Sequence, residues 1–582
     1  MKKINKINKE IITETIKKSA IFLMMEIISI LIFTTILFFI NITVSPLHLP
    51  ISTIIAIFAY MIFYKKDNIK VNITALLIGI IILTGVTFVE GKIYDTTADG
   101  NTYHKLAIGS MKNGWNPNYE DSKDFKKENG NVFDTSEDNI NTLWIDHYAK
   151  GTEIYASVLY AFTGNIENGK GYTIILMYIA FGIVFSYLYN DKKRNLFTSL
   201  AIAGLLAFNA IIIVQMFNYY VDGALMISIL LIIFACIVES EEKQINPKEN
   251  LFILASSILL CINIKFTGLA FAGLYCFVFY IYWLVKAYRK GKEEFIKKFK
   301  KYTVFYIVTV LVSLGIVGYS SYVRNTIDHG NPLYPLYGQG HVENMVVKEQ
   351  PSSFNDKNHL EIFLISMFSK GENVSPTYST ENVQPTLKIP FTTSIEEIEN
   401  YSIPDIRVGG FGPLFSVIFI ATIIGTIYLI IKLIKEKKWN LFVPYILILL
   451  VTAGLILGLD GNYWARYIPY FYSVPIMLLT YLLWDKDKKV KYIIGSILSV
   501  ILLVNCLLVL YTTLKSTRNN DAYVGNKINE FVQYASEHDK VEIQLNHSGV
   551  QGALYNIDDV GIKNYEIKDE INSEREGYFF KY

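Results

Sequence analysis

Apolar runs of about twenty residues recur along this chain, and they restrict its fold more than any other feature. "AIFLMMEIISILIFTTILFFI" and "ITALLIGIIILTGVTFVEG" are two of them. A helix rises about 1.5 Å per residue, so roughly twenty apolar residues cross the ~30 Å hydrocarbon core of a bilayer. A length of 582 residues would otherwise suggest several soluble domains. With 52% hydrophobic and 18% charged residues, the composition points to a membrane chain instead.

The expected spans are 18–41, 50–64, 71–90, 171–189, 196–214, 221–238, 250–264, 267–285, 303–322, 412–432, 440–458, 465–484 and 492–512, about thirteen in all. The first run follows a lysine-rich start. It is longer than a signal-peptide core and lacks a small-residue cleavage site, so it reads as a retained span. Glu26 lies inside it and is expected to face other helices or the interface, with no role assigned. Cys236, Cys261, Cys276 and Cys506 all fall in apolar runs, which predicts packing residues and no disulfide framework.

Lysine and arginine in the connections orient the spans. With the amino terminus inside, the inner connections include "KKDNIK", "DKKRN", "KAYRKGKEEFIKKFKK", "KLIKEKK" and "DKDKKVK". The outer connections then include the polar stretches 91–170 and 323–411 and everything after 512. The expected fold is an all-α polytopic protein of the cell (plasma or inner) membrane, with residues 1–512 as its membrane domain. Its amino terminus is cytoplasmic. Residues 513–582, with helix-like "NKINEFVQYASEHD" and strand-like "KVEIQLN", read as a small extracytoplasmic α/β appendage. The net charge of +2 gives no basis for a nucleic-acid partner, and none is expected; membrane lipids are.

The unusual polar residues collect on the outer side. "YDTTADGNTYH" holds Asp95 and Asp99, then Tyr103 and His104. A carboxylate at a membrane boundary can serve as general base to a substrate hydroxyl, or can simply be a solvated loop acid. On a helix, Asp95 and Asp99 would share a face and could hold a divalent metal jointly. No cofactor is otherwise expected, and the metal question stays open. "IDHYAKGTEIYASVLYAFTG" contributes His147 and Lys150, candidate anion binders, ahead of an expected short amphipathic helix near the interface. "HLEIFLISMFSK" is a second amphipathic stretch suited to the membrane surface.

Lys265 stands between two apolar runs in "CINIKFTGLAF". A charge there is costly and either marks an anion site or snorkels to headgroup phosphates. Arg324 follows a span in "RNTIDHGNPLYP", and Arg466 precedes one in "YWARYIPYFY" beside Tyr467. Arginine suits forked recognition of phosphate oxygens; a headgroup anchor is the plainer alternative. Asp222 ends "FNYYVDG" as a second acid, a cation holder or a helix cap. No zinc-protease, phosphate-loop or kinase motif is present. Outside a cell there is no nucleotide sugar, so an outward-facing transferase needs a donor already carried across.

"TTADGNTYH", "DHYAKG", "RNTIDHGNPLYP" and "WARYIP" together resemble the GT-C superfamily of membrane glycosyltransferases, across about residues 18–512. That superfamily includes protein O-mannosyltransferases and aminoarabinose transferases, and the last two strings look most like its bacterial branch. The adjacent acid pair usual in the first outer loop is absent here, since Asp95 and Asp99 are four apart. The resemblance implies a polyprenyl-phosphate-linked sugar donor and a glycan, lipid or protein acceptor. It implies Asp99 or Asp95 as the catalytic aspartate acting as general base, Arg466, Arg324 or Lys265 on the donor phosphate, and inversion at the anomeric carbon. Tyr103, His104, His147, Lys150, Asp222 and Tyr467 are the expected substrate contacts. Two other readings stand beside it. One is a polysaccharide polymerase or ligase using a lipid-diphosphate donor. The other is a lipid-linked glycan transporter or flippase, for which internal repeats and a midplane site would be expected.

Overall fold

The computed structural model describes residues 2–122, 140–242, 244–338, 341–342, 345–374, 384–546 and 548–582. The outer stretches expected at 91–170 and 323–411 fall partly outside these. Ten helices among the described residues are long and apolar enough to cross a membrane, the first within Lys9–Phe39 and the last within Lys489–Ser536. The other three expected spans correspond to shorter apolar helices, His48–Phe63, Leu196–Ala207 and Pro469–Leu483. The count of thirteen therefore becomes ten by length, with three short apolar helices beside them.

Local chemistry starts several helices where the sequence offers an amide. Asn68, Asn195 and Asn209 each accept a backbone N–H of the first turn through the side chain. Asn246 does the same for Glu249, with Pro247 as the first helical residue, where its missing N–H costs nothing. The first helix packs on His48–Phe63, Ile69–Glu90 and Tyr172–Ser186, and Asp222–Glu239 packs on Pro247–Ile264. Glu26 faces inward, accepting the Thr53 hydroxyl at 2.7 Å. All four cysteines are buried.

Asp222–Glu239 is the most enclosed of the long helices. Peripheral helices do the opposite and present apolar side chains outward. Phe58 and Ile81 are each 68% exposed, and Ile424 and Leu450 are also exposed. Such an exterior is unsuited to water and fits a lipid solvent. Polar connections segregate into two groups. Lys17 meets Glu249, Lys192 meets Glu241, and Lys301 meets Glu239 at one end. The connections around Asp99, Tyr220, Asp405 and Arg466 meet at the other.

Of two expected surface helices, one turns out to be enclosed and the other partly covered. Gly151–Thr163 is buried from Gly151 to Tyr160, because Lys105–Lys112, Ile166–Gly171 and the first helix cover it. His359–Met367 starts with a capping box from Asn358 and Glu361. Its Phe363 packs edge-on against Phe419 and Phe471, so protein takes part of its apolar face, while Leu360 stays exposed.

The helix that holds the last expected span runs on past 512. It continues as one helix to Ser536. A small sheet follows, ordered β2-β1-β3: β1 (Val541–Leu545) lies parallel to β2 (Tyr565–Ile567) and antiparallel to β3 (Phe580–Lys581). This segment docks on the first polar connection. Tyr160 donates to Asp559 at 2.6 Å, and the backbone N–H of Ile166 donates to its other oxygen at 2.7 Å. Gly109 permits the approach, since a Cβ there would overlap the Tyr555 ring.

Candidate functional site

A dense charge cluster surrounds Arg466. This residue lies in a short 3-10 turn, Ala465–Tyr467, that leads into an apolar helix. Its Nη1 stands 3.3 Å from Asp222 Oδ2 and 3.5 Å from Asp99 Oδ2, and its Nε stands 3.2 Å from Asp405 Oδ1. Three carboxylates from three separate connections thus share one guanidinium. The planar five-donor fork of arginine suits that task better than an ammonium point charge. Trp464, Tyr467 and Tyr220 surround the guanidinium with rings 4.3, 5.1 and 5.1 Å from its carbon.

Lys265 completes the cluster. It is the one extended residue between the helices Pro247–Ile264 and Phe266–Tyr288, and this break turns its side chain toward Asp222. Its Nζ donates to Asp222 Oδ1 at 2.6 Å and lies 4.2 Å from the centre of the Tyr467 ring. Asp222 opens its helix without capping it. Its carboxylate accepts instead from Lys265, Arg466 and the Gln215 amide. Gln215 is fixed in turn by the Gly223 N–H at 2.7 Å. The helix N-terminus adds a favourable field for this anion.

The three acids differ in access. Side-chain exposure is 1% for Asp222, 16% for Asp405 and 27% for Asp99. Burial pushes the Asp405 carboxyl above its ordinary range, while Arg466 and Arg407 pull it back. The charge chain extends outward from Asp405 to Arg407 at 3.5 Å, and from Arg407 to Glu349.

Asp95 is placed differently from Asp99. It lies ahead of the helical turn and does not share a helical face with Asp99. One of its oxygens accepts the Thr97 N–H and hydroxyl, at 2.8 and 2.7 Å, and the other accepts the Tyr219 N–H at 2.8 Å. Among the described residues no group of three or more His, Cys, Asp or Glu side chains is placed to hold a metal ion. The joint metal site considered for Asp95 and Asp99 therefore lacks its shared helical face.

The fold thus gathers Asp99, Asp222, Lys265, Arg466 and Tyr467. It keeps three expected contacts and one expected phosphate ligand apart from them, while the Tyr103 hydroxyl lies close enough to feel the charges of Asp99 and Arg466. His104 meets Glu153 at 2.7 Å, and Tyr103 lies against the His104 ring. His147 accepts or donates to Asn325 at 2.8 Å, and burial drops its pKa to about 4. Lys150 donates to the carbonyls of Asp146 and Tyr148, and burial lowers it to about 8. Arg324 is engaged by Asp121, Asp328 and the carbonyls of Pro117 and Glu120.

Sequence reading missed Asp405, Gln215 and Tyr220 as parts of the cluster. Asp405 and Arg407 stand in "DIRVGGFGP", a polar connection next to an apolar run, which was the available signal. It also missed a second buried group. Glu167 receives Lys105 at 2.6 Å, Lys170 at 2.9 Å and the Asn556 amide at 2.9 Å, which ties the first connection to the carboxy-terminal segment. Comparison of the chain with known proteins finds no matching family model, curated protein or solved structure.

Proposed function

We propose that this protein is a membrane glycosyltransferase of the GT-C type, with thirteen spans, a cytoplasmic amino terminus and the Arg466 cluster on the extracytoplasmic face. It moves a sugar from a polyprenyl-phosphate donor to an acceptor hydroxyl. The observation that carries this reading is the sharing of Arg466 by three acids, beside Lys265, where the lysine-poor connections converge. The positive-inside pattern puts that end outside.

In this reading the acceptor oxygen bonds to the anomeric carbon as the bond from that carbon to the phosphate oxygen breaks. Asp99, the most exposed of the three acids, takes the hydroxyl proton. The polyprenyl phosphate leaves with the bonding pair, and Lys265 and Arg466 stabilise its charge. The three acids engage Nη1 and Nε of Arg466, so Nη2 is the nitrogen offered to a phosphate oxygen. Displacement from the opposite face inverts the centre. Asp222 positions the two cations and Arg324 braces the first connection.

The test is sugar transfer in proteoliposomes supplied with defined polyprenyl-phosphate sugars and candidate acceptors. A lost general base costs about 10²–10⁴-fold, so Asp99→Asn should fall by at least about a hundredfold. Full transfer by Asp99→Asn would overturn the base assignment. No transfer or donor cleavage by wild type from any polyprenyl-phosphate sugar would overturn the class.

A further inference from the structure

A cleft of about 330 Å³ lies against the Arg466 cluster. Pockets for small ligands run to roughly 300–1,000 Å³, so it stands at the lower end of that range. Its walls come from the first connection, the Gln215–Gly223 turn, the stretch before Asp405 and the extension of the last long helix. Asp405 is shared: it lines the cleft and contacts Arg466. Whatever fills the cleft abuts the charge cluster.

The chemistry of the walls is specific. Thr96, Asn218, Asn373, Ser402 and Thr517 supply neutral hydroxyls and amides. Tyr94, Phe217, Tyr220 and Tyr401 supply aromatic surface. Among the described lining residues there is no lysine, arginine or histidine. A phosphate or other anion would find no cation here and two aspartates, Asp95 and Asp405, against it. The helix contributes Thr513, Ser516, Thr517 and Asn520, spaced three and four apart, so all four share one face. The helix is pinned in place, with Asn520 donating to Thr96 at 3.2 Å and Asp521 accepting the Tyr94 N–H at 3.0 Å. One polar atom in the walls, Asn373 Oδ1, is buried without a hydrogen-bond partner among the described residues. A buried acceptor left unpaired is costly, and a ligand hydroxyl donor would satisfy it.

We infer that this cleft binds a neutral saccharide, with the hydroxyl-bearing face of the last long helix as its recognition wall. Mixed hydroxyl, amide and aromatic surface without cations matches a sugar's many hydroxyls and its apolar ring faces. The saccharide's part in catalysis rests on the transferase reading; its binding does not. The saccharide is either the acceptor or the sugar of the donor, and both present the same chemistry.

The binding arm uses detergent-solubilised full-length protein on an array of neutral and anionic oligosaccharides. Wild type should bind neutral glycans. Thr517→Trp, which fills the cleft, should weaken that binding by about tenfold or more, and Ser516→Ala, a mild change, by about two- to tenfold through one lost hydrogen bond. Binding to no neutral glycan, binding to anionic glycans alone, or binding unchanged in both variants would overturn the inference. The second arm follows donor cleavage to water and transfer to acceptor in Thr517→Trp. Loss of transfer with donor cleavage intact assigns the cleft to the acceptor, and loss of both assigns it to the donor's sugar. If wild type cleaves no donor at all, the transferase reading fails while the binding arm still decides the cleft.

Discussion

Asp405 and Arg466 stand 3.2 Å apart, carboxylate oxygen to Nε, and this contact joins the charge cluster to the cleft beside it. Both atoms are buried and neither completes a well-formed hydrogen bond with the other. The pair is held by charge more than by directional bonding. The loss of Arg466 would leave Asp99, Asp222 and Asp405 around an empty centre.

Arg466→Ala should therefore destabilise the protein by about 3–5 kcal/mol, the usual cost of breaking a buried ion pair. Arg466→Lys should recover part of this, because an ammonium restores the charge but cannot span three carboxylates as a fork does. Thermal unfolding in detergent checks both, and equal melting temperatures for Arg466→Lys and wild type would show that the fork is not needed. In the transfer assay both variants should lose activity.

The Lys265–Asp222 contact predicts a strong coupling. Each partner is almost wholly buried, so Lys265→Met or Asp222→Asn alone strands an opposite charge or changes what Arg466 meets. The double variant removes both and should cost clearly less than the sum of the two single changes. A double-mutant cycle on unfolding free energy measures this, and strict additivity would mean that the pair does not interact.

How much of this was legible in the sequence depended on the range of the interaction. Spans and lysine-rich connections are local signals, and each expected span has a helix. Asp99, Asp222, Lys265 and Arg466 were visible one at a time, as charges beside apolar runs. Their meeting was not, because it joins connections hundreds of residues apart, as in Arg466 with Asp222 at a separation of 244. Asp405 looked like an ordinary loop acid for the same reason. The docking of the carboxy-terminal segment was also beyond reach, since Asn556 meets Glu167 across 389 residues. Local pattern also misjudged Gly151–Thr163, whose amphipathic spacing suggested an interface when Lys105–Lys112 and Ile166–Gly171 pack over it.

Docking of that carboxy-terminal segment should depend on pH through Asp559. Burial pushes this carboxyl up to about 7, while the Ile166 N–H and the Tyr160 hydroxyl pull it back. Undocked, it ionises near pH 4. Between those values the docked form holds a proton that the undocked form has released, so docking weakens as pH rises from about 4 to about 7 and is flat above that. Hydrogen exchange over residues 540–582 should slow as pH falls from 8 to 5, after correction for intrinsic rates. Asp559→Asn should lose most of this dependence. The neighbouring acids Asp558 and Glu167 remain in that variant, so an unchanged pH response there would reassign it to them.

The division of labour between Asp95 and Asp99 gives the sharpest comparison. Asp95 uses both carboxylate oxygens to accept three donors, two from Thr97 and one from Tyr219. An asparagine has one acceptor oxygen, so Asp95→Asn leaves at least one buried donor unpaired at a cost of about 1–3 kcal/mol. Asp99 meets Arg466 at 3.5 Å and is partly open to solvent, so Asp99→Asn should change stability by less than about 1 kcal/mol. Under the transferase reading the activities run the other way. Asp99→Asn should lose turnover while keeping its fold and its donor binding. Asp95→Asn should lose activity only to the extent that it unfolds, and cooling the assay should restore it. Melting temperature and transfer rate measured on the same preparations separate the two, and a well-folded but inactive Asp95→Asn would move the base to Asp95.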